Sequence, residues 1–183
     1  MDNTPIVLAY SGGLDTSFCI PWIKENYGRD VITVTIDTGG FDEENKENIK
    51  KRAINLGAKQ HYFLDSKDEY FEKIIKYLIA GNIKKGQLYP LCVGAERGLQ
   101  AKRLASFMLE KNLSTVAHGC TAAGNDQIRF DVALKTINPK IKIIAPVRDN
   151  NWLREEQINF LKKRELYLDD STTSYSINHG LWG

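Results

Sequence analysis

The stretch PIVLAYSGGLDTS, residues 5–17, constrains the fold more than any other segment of the chain. An unbroken apolar run bounded by turn residues is what a central parallel strand presents, so residues 5–10 read as a buried strand. The chain then bends at once through Ser11, Gly12 and Gly13 and sets Asp15, Thr16 and Ser17 at the mouth of a helix expected over 16–27. Glycines allow close approach of the backbone to oxygens, successive N–H groups form a nest, and a helix N-terminus adds positive potential. Together these are the ingredients of an anion cradle, and phosphate fits it. Neither G-x-x-x-x-G-K-[ST] nor G-x-G-x-x-G occurs there. The plainer alternative is a tight strand-to-helix turn that happens to use small residues.

Beyond this bend, strand and helix alternate along the chain. DVITVTID (30–37) is β-branched and closes on Gly39 and Gly40, and 41–57 runs from acidic to basic and stops at Gly57, as a surface helix matched to its dipole does. KQHYFLD (59–65) gives a third strand. A helix is expected over 68–80, with Phe71, Ile74, Ile75 and Leu78 as a core stripe. Residues 81–90 read as loop, about 94–111 as helix, 113–119 as strand, 126–137 as helix, 140–146 as strand and 151–166 as helix capped by Asn150 or Asn151. Pro21 falls near enough to a helix start to be tolerated. Five strands separated by helices imply an α/β fold: an open, doubly wound, mostly parallel sheet with right-handed crossovers. Ligands of such sheets bind beyond the carboxyl ends of the strands, at the switch point, where SGGLDTS, DTGG and HGCTAAGND can converge.

Bulk properties exclude several classes. Lys and Arg number 25 against 23 Asp and Glu, so no strong field draws the chain to nucleic acid or membrane. Cys19, Cys92 and Cys120 form no CxxC pair and lack histidines at ligand spacing, which argues against a disulfide framework or a zinc site and suits a reducing, cytoplasmic setting. No run approaches the ~20 apolar residues of a membrane span, and MDNTPIVLAY lacks the features of a signal peptide. Residues 169–183 are polar and turn-rich yet end in Leu-Trp-Gly, so the expected organisation is a domain over 1–168 and a tail leading into a further domain of a longer protein.

SGGLDTS resembles the PP-loop motif S-G-G-x-D-[ST]-S of the ATP pyrophosphatases, a group with the adenine nucleotide alpha-hydrolase-like fold. The longer AYSGGLDTS, with HGCTAAGNDQIRFD (118–131), IKIIAPVR (141–148) and YSINHGLWG (175–183), is similar to the argininosuccinate synthase family across essentially all 183 residues. The resemblance implies a cytoplasmic ligase of arginine biosynthesis. It condenses citrulline with aspartate through citrullyl-adenylate and releases AMP and pyrophosphate, using ATP with Mg2+. It also implies small-molecule substrates rather than nucleic acid or membrane partners, and a homotetrameric parent whose first half alone could be a monomer or dimer.

Carried over by motif, Ala9, Tyr10, Ser11, Gly12, Gly13, Leu14, Asp15, Thr16 and Ser17 would contact ATP, with Ile36 against the adenine and Gly119 facing the nucleotide. Thr121, Asn125 and Asp126 match aspartate-holding positions. Tyr89, Gly94, Asn125, Arg129 and Ser176 match citrulline-holding ones. Asp15, Asp126 and Arg129 are the catalytic candidates, acting by positioning and electrostatics, since no side chain is a clear nucleophile. A bare carboxylate facing phosphate would repel it, so Asp15 suits magnesium placement or loop orientation. No protein metal site is expected.

Taken singly, Arg129 reads equally as a salt-bridge partner, Tyr89 as packing beside Pro90, and Ser176 as a turn cap. His118 reads as a satisfied structural histidine and Cys120 as a small lining residue. The chain departs from the family pattern at Ala123, where a lysine is usual, at Gly94, where a serine is, and at Glu96, where a small residue is. Two rivals stand beside the synthase: another PP-loop enzyme, of tRNA-thiolating or amidating type, and an adenine-nucleotide sensor without chemistry.

Overall fold

In chain order the computed structural model comprises β1 (Ile6–Ala9), α1 (Leu14–Tyr27), β2 (Val31–Asp37), α2 (Glu43–Asn55), β3 (Gln60–Asp65), α3 (Lys67–Tyr70), a π-helical turn (Phe71–Ile75), α4 (Lys76–Ala80), β4 (Lys84–Lys85), β5 (Tyr89–Pro90), α5 (Val93–Glu110), β6 (Thr115–His118), α6 (Asp126–Ile137), β7 (Lys142–Ile144), α7 (Pro146–Asp149) and α8 (Arg154–Lys162). The structure describes residues 3–86, 89–91, 93–121, 126–168 and 181–182.

Five strands form one sheet in the order β3-β2-β1-β6-β7, and every neighbouring pair is parallel. The expected doubly wound sheet is therefore present. From β1 the chain winds outward through β2 to β3, then returns to lay β6 against the other side of β1. The switch point is thus the gap between the carboxyl ends of β1 and β6.

Alternation along β1 feeds two cores. Ile6 and Leu8 point into a layer with Phe18, Ile23, Ile49 and Leu161, from α1, α2 and α8. Val7 points the other way, among Leu104, Met108, Phe130 and Leu134 of α5 and α6. A strand covered on both faces needs apolar residues at every position, which is why IVL is unbroken. Phe18, Trp152 and Phe160 stack with centroids 4.9 to 5.8 Å apart, seating α8 on α1.

Several local expectations are corrected. Helix α1 begins at Leu14, before the expected Thr16, so buried Pro21 lies well inside it; the missing N–H removes one helical bond, a loss that burial of the ring offsets. The 68–80 helix is interrupted by the π-helical turn, whose extra residue rotates the downstream face. Ile75 is buried while Phe71 is exposed, so the stripe is core only in part. Within 81–90, β4 and β5 pair as a short antiparallel hairpin. The last strand ends at Ile144 because Pro146 opens α7. Neither Asn150 nor Asn151 caps α8; the carboxylate of Glu156 accepts from the Leu153 N–H at 2.8 Å instead. Among the described residues, no helix is long and apolar enough to cross a membrane.

Two residues of α6 separate core from surface. Leu134 is fully buried and Val132 is 59% exposed. Leu134→Ala should cost about 2–5 kcal/mol in urea unfolding, and Val132→Ala no more than about 0.5 kcal/mol.

Candidate functional site

The bend after β1 has the geometry of a cradle. Gly12 adopts φ +80°, which side chains rarely take, and a Cβ there would sit 3.0 Å from Ile49 of α2. Gly13, extended, is the N-cap of α1 and, as a glycine, brings no side chain of its own to cap that end. The first intrahelical bond runs from Ser17 N–H to the Gly13 carbonyl, 3.0 Å. The N–H groups of Leu14, Asp15 and Thr16 therefore have no partner within the helix, as at any helix start. Ser11 Oγ lies 3.2 Å from Thr16 Oγ1, which donates to the Gly13 carbonyl, and the Gly13 N–H reaches Ser11 Oγ at 3.3 Å. Two hydroxyls and a run of amides so gather on one concave side.

The remaining loop residues support this concavity from beneath. Ser17 and Tyr10 are buried and bond each other at 3.2 Å, and Leu14 enters the core. Burial pushes the Tyr10 hydroxyl up to about 12 despite that bond, so it stays neutral. Asp15 Oδ1 accepts from Gln157 Nε2 of α8 at 2.9 Å, which fixes the carboxylate's direction. The Gly12 carbonyl is held from α2 by Arg52 Nη1, 2.7 Å.

Strand β6 delivers the second wall. A Cβ on Gly119 would lie 3.0 Å from the Asp15 carbonyl carbon, the Thr16 nitrogen and Thr16 Cγ2, so any side chain there requires the first turn of α1 to shift. Its neighbour His118 is buried, with Nε2 2.8 Å from Asp131 of α6, and Asp131 binds Arg148 of α7 at 2.8 Å. Burial favours the neutral ring, but the Asp131 bond and the Cys120 side outweigh it and push His118 up to about 9. The Cys120 N–H also points at Nδ1, 3.2 Å away, a contact that requires an unprotonated Nδ1. With its proton on Nε2 the ring donates to Asp131 and accepts from Cys120 at once, and the Asp131 carboxylate is what favours a second proton. His118 is satisfied, in keeping with its position at a strand end.

On the adjoining edge, the Asp37 carboxylate is buried, accepts from the Gly39 N–H at 2.8 Å and pairs with Lys46 at 3.2 Å. Thr38 donates to buried Glu96 of α5, which also takes Gln100 Nε2 at 2.8 Å. Glu96, where the family pattern has a small residue, thus ties the end of β2 to α5. Leu181 N–H donates to the Thr38 carbonyl at 3.0 Å, and a Cβ on Gly39 would lie 2.8 Å from Leu181 Cβ.

The structure gathers much of the motif set. Ala9 pairs with Val34, placing Ile36 just past the end of β1. Thr121 comes after the Gly119 turn and is exposed, and Asp126 opens α6. A methyl on Gly94 would lie 3.7 Å from the Arg129 guanidinium carbon, so α5 and α6 bring these two together. Tyr89 lies in β5. Asn125, Ser176, Cys92 and Ala123 lie outside the described residues. Arg52, Gln157 and the Asp131–Arg148 pair do not stand out in the sequence. Each is an ordinary polar residue on a helix, and the only signal was that R-F-D and A-P-V-R sit inside motifs already matched.

Two open clefts lie away from this edge. One, of about 640 Å³, is lined by Asp131, Val132, Lys135, Thr136, Lys142 and Ile143. The other, of about 520 Å³, lies between α2 and residues 165–167.

Fold and loop together define a class: a doubly wound parallel α/β domain with a glycine cradle at its switch point. Residues 5–167 match the arginosuccinate synthase N-terminal HUP domain, and the chain belongs to that family. It is 44% identical over 178 residues to the argininosuccinate synthase of Sulfurisphaera tokodaii, covering 97% of this chain and 45% of that protein. Those of Streptococcus mutans and Dictyoglomus thermophilum are 40% and 43% identical over the whole chain, which covers 46% of each. The chain thus spans a little under half the length of the curated relatives it matches. At the level of fold alone, it resembles a crystal structure titled as a predicted subunit of tRNA methyltransferase from Methanocaldococcus jannaschii. That likeness has TM-score 0.54 and 16% identity, and covers 89% of both chains.

Gly119→Ala should displace the first turn of α1, lowering the thermal midpoint and broadening the amide resonances of Ser11 to Thr16 in an NMR comparison with wild type. The His118 pKa is raised on folding. Its stabilisation is therefore complete below the ordinary histidine value near 6.5 and lost as pH rises through about 9. The stability gap between wild type and Asp131→Asn should accordingly be wider at pH 6 than at pH 9.5 in chemical denaturation.

Proposed function

We propose that this chain is the ATP-binding part of an argininosuccinate synthase. In this reading the ureido oxygen of citrulline attacks the α-phosphorus of ATP, pyrophosphate leaves, and the amine of aspartate then displaces AMP from citrullyl-adenylate. The carrying observation is the cradle itself: a helix start with glycine at its N-cap, two hydroxyls 3.2 Å apart and a glycine bend at the switch point, in a chain of this family.

The departing pyrophosphate would be received by the amides from Gly12 to Thr16 with the hydroxyls of Ser11 and Thr16, donors already in place as negative charge develops. Tyr10, Leu14 and Ser17 would act beneath, as braces. Asp15, turned by Gln157, would orient the loop. Ala9, Ile36 and Gly119 would flank the nucleotide.

Arg129 would offer a planar fork to the citrulline carboxylate beside Gly94, with Tyr89, Asn125 and Ser176 completing that subsite. Thr121, Asn125 and Asp126 would hold aspartate, the carboxylate of Asp126 facing the ammonium group. Magnesium would be carried largely by the triphosphate and water. No three His, Cys, Asp or Glu residues gather as a metal site among the described residues, and Mg2+ often takes only one or two carboxylates. A cytoplasmic, homotetrameric parent accords with this reading. Near-neutral charge and the lack of paired cysteines favour it over a thiolating enzyme.

Isothermal titration of ATP–Mg2+ into this chain should give saturable binding that Ser11→Ala with Thr16→Ala weakens by more than about tenfold, with little change in thermal midpoint. In a longer protein carrying this domain, pyrophosphate release should require both citrulline and aspartate. Release without either amino acid, or no ATP binding by the wild-type chain, would refute the synthase.

A further inference from the structure

The loop from Ser11 to Ser17 contains no lysine or arginine, yet an anion cradle needs its carbonyls kept away from the ligand. Gly12 is where this matters most. At φ +80° and without a side chain, its peptide can flip at little steric cost, and a flip would turn an oxygen into the space where phosphate should sit.

The fold answers with a cation from forty residues away: Arg52, in the last turn of α2, donates through Nη1 to the Gly12 carbonyl at 2.7 Å. Ile49, one turn earlier on the same helix, packs where a Gly12 side chain would be. In a trans peptide the carbonyl and the next N–H point in opposite directions. Tying the Gly12 oxygen outward therefore turns the Gly13 N–H toward the hydroxyl side, where it is found 3.3 Å from Ser11 Oγ.

We propose that Arg52 is a positioning residue of the cradle: by clamping the Gly12 carbonyl from behind, it presets the Gly13 amide to receive the anion and places a positive charge beneath it. This rests on the reading of the loop as a phosphate site. Arg52 acts through the peptide and need not touch the ligand. Arg52 itself also lines the open cleft of about 520 Å³ between α2 and residues 165–167.

The test pairs a ligand-free readout with a binding one, on Arg52→Met, Arg52→Lys and Arg52→Ala. In the free protein, the Gly13 amide resonance should move in Arg52→Met and less in Arg52→Lys, while core amides stay put. Inorganic pyrophosphate should bind about tenfold more weakly to Arg52→Met, the scale of one charge-assisted bond. Methylguanidinium should restore both readouts in Arg52→Ala, a rescue that general destabilisation would not show. An unmoved Gly13 amide in folded Arg52→Met or Arg52→Ala, or a moved amide with undiminished pyrophosphate affinity, overturns the clamp. A wild-type chain that binds no pyrophosphate while its Gly13 amide still responds to Arg52→Met supports the clamp and defeats the phosphate reading instead.

Discussion

The two walls of the site are set by the close contact of Gly119 with the first turn of α1. The two segments are more than a hundred residues apart, yet there is no room for a single methyl between them. That contact is possible only because β6 returns to lie directly beside β1, with Ala9 opposite His118. The architecture of the switch point depends on it. The glycine loop on one strand and the H-G-C-T turn on the next are thereby packed together rather than left as two separate loops.

A loop of glycines would be a poor scaffold if left alone, since its backbone freedom is large. Here each layer of the domain contributes a restraint: Arg52 from α2 on the Gly12 carbonyl, Gln157 from α8 on Asp15, and Tyr10 against Ser17 in the buried floor. The other wall is fixed by the charged series His118, Asp131 and Arg148, which joins β6, α6 and α7. Burying such a series is costly unless every member is paired, and here each is. The polar atoms that the site needs are therefore held by polar atoms that the site does not use.

Much of this was legible in the sequence. Apolar runs with β-branched residues, separated by amphipathic stretches and glycine stops, specified an α/β domain of five strands alternating with helices, because burial on both faces leaves no other composition for the central strands. The cradle was legible because glycine and hydroxyl residues are needed in immediate succession, a purely local demand. The supports were not, since Arg52 and Gln157 differ in no sequence property from solvent-facing neighbours until the helices are packed. The π-helical turn escaped for a different reason. The period of Phe71, Ile74, Ile75 and Leu78 is helical, and a single added residue leaves that pattern intact while rotating which members face inward.

The edge of β2 shows how a buried carboxylate is accommodated by local chemistry. Glu96 would be an expensive buried carboxylate on its own. With Thr38 and Gln100 bonded to it, it becomes the link between α5 and the loop just beyond Ile36. The same loop receives Leu181 across Gly39, while Trp182 packs against the cluster of Tyr70, Ile75 and Leu99. The segment after β2 is thus held at Thr38 and Gly39 from two places distant in the chain, Glu96 of α5 and Leu181, just beyond Ile36 at the end of the strand.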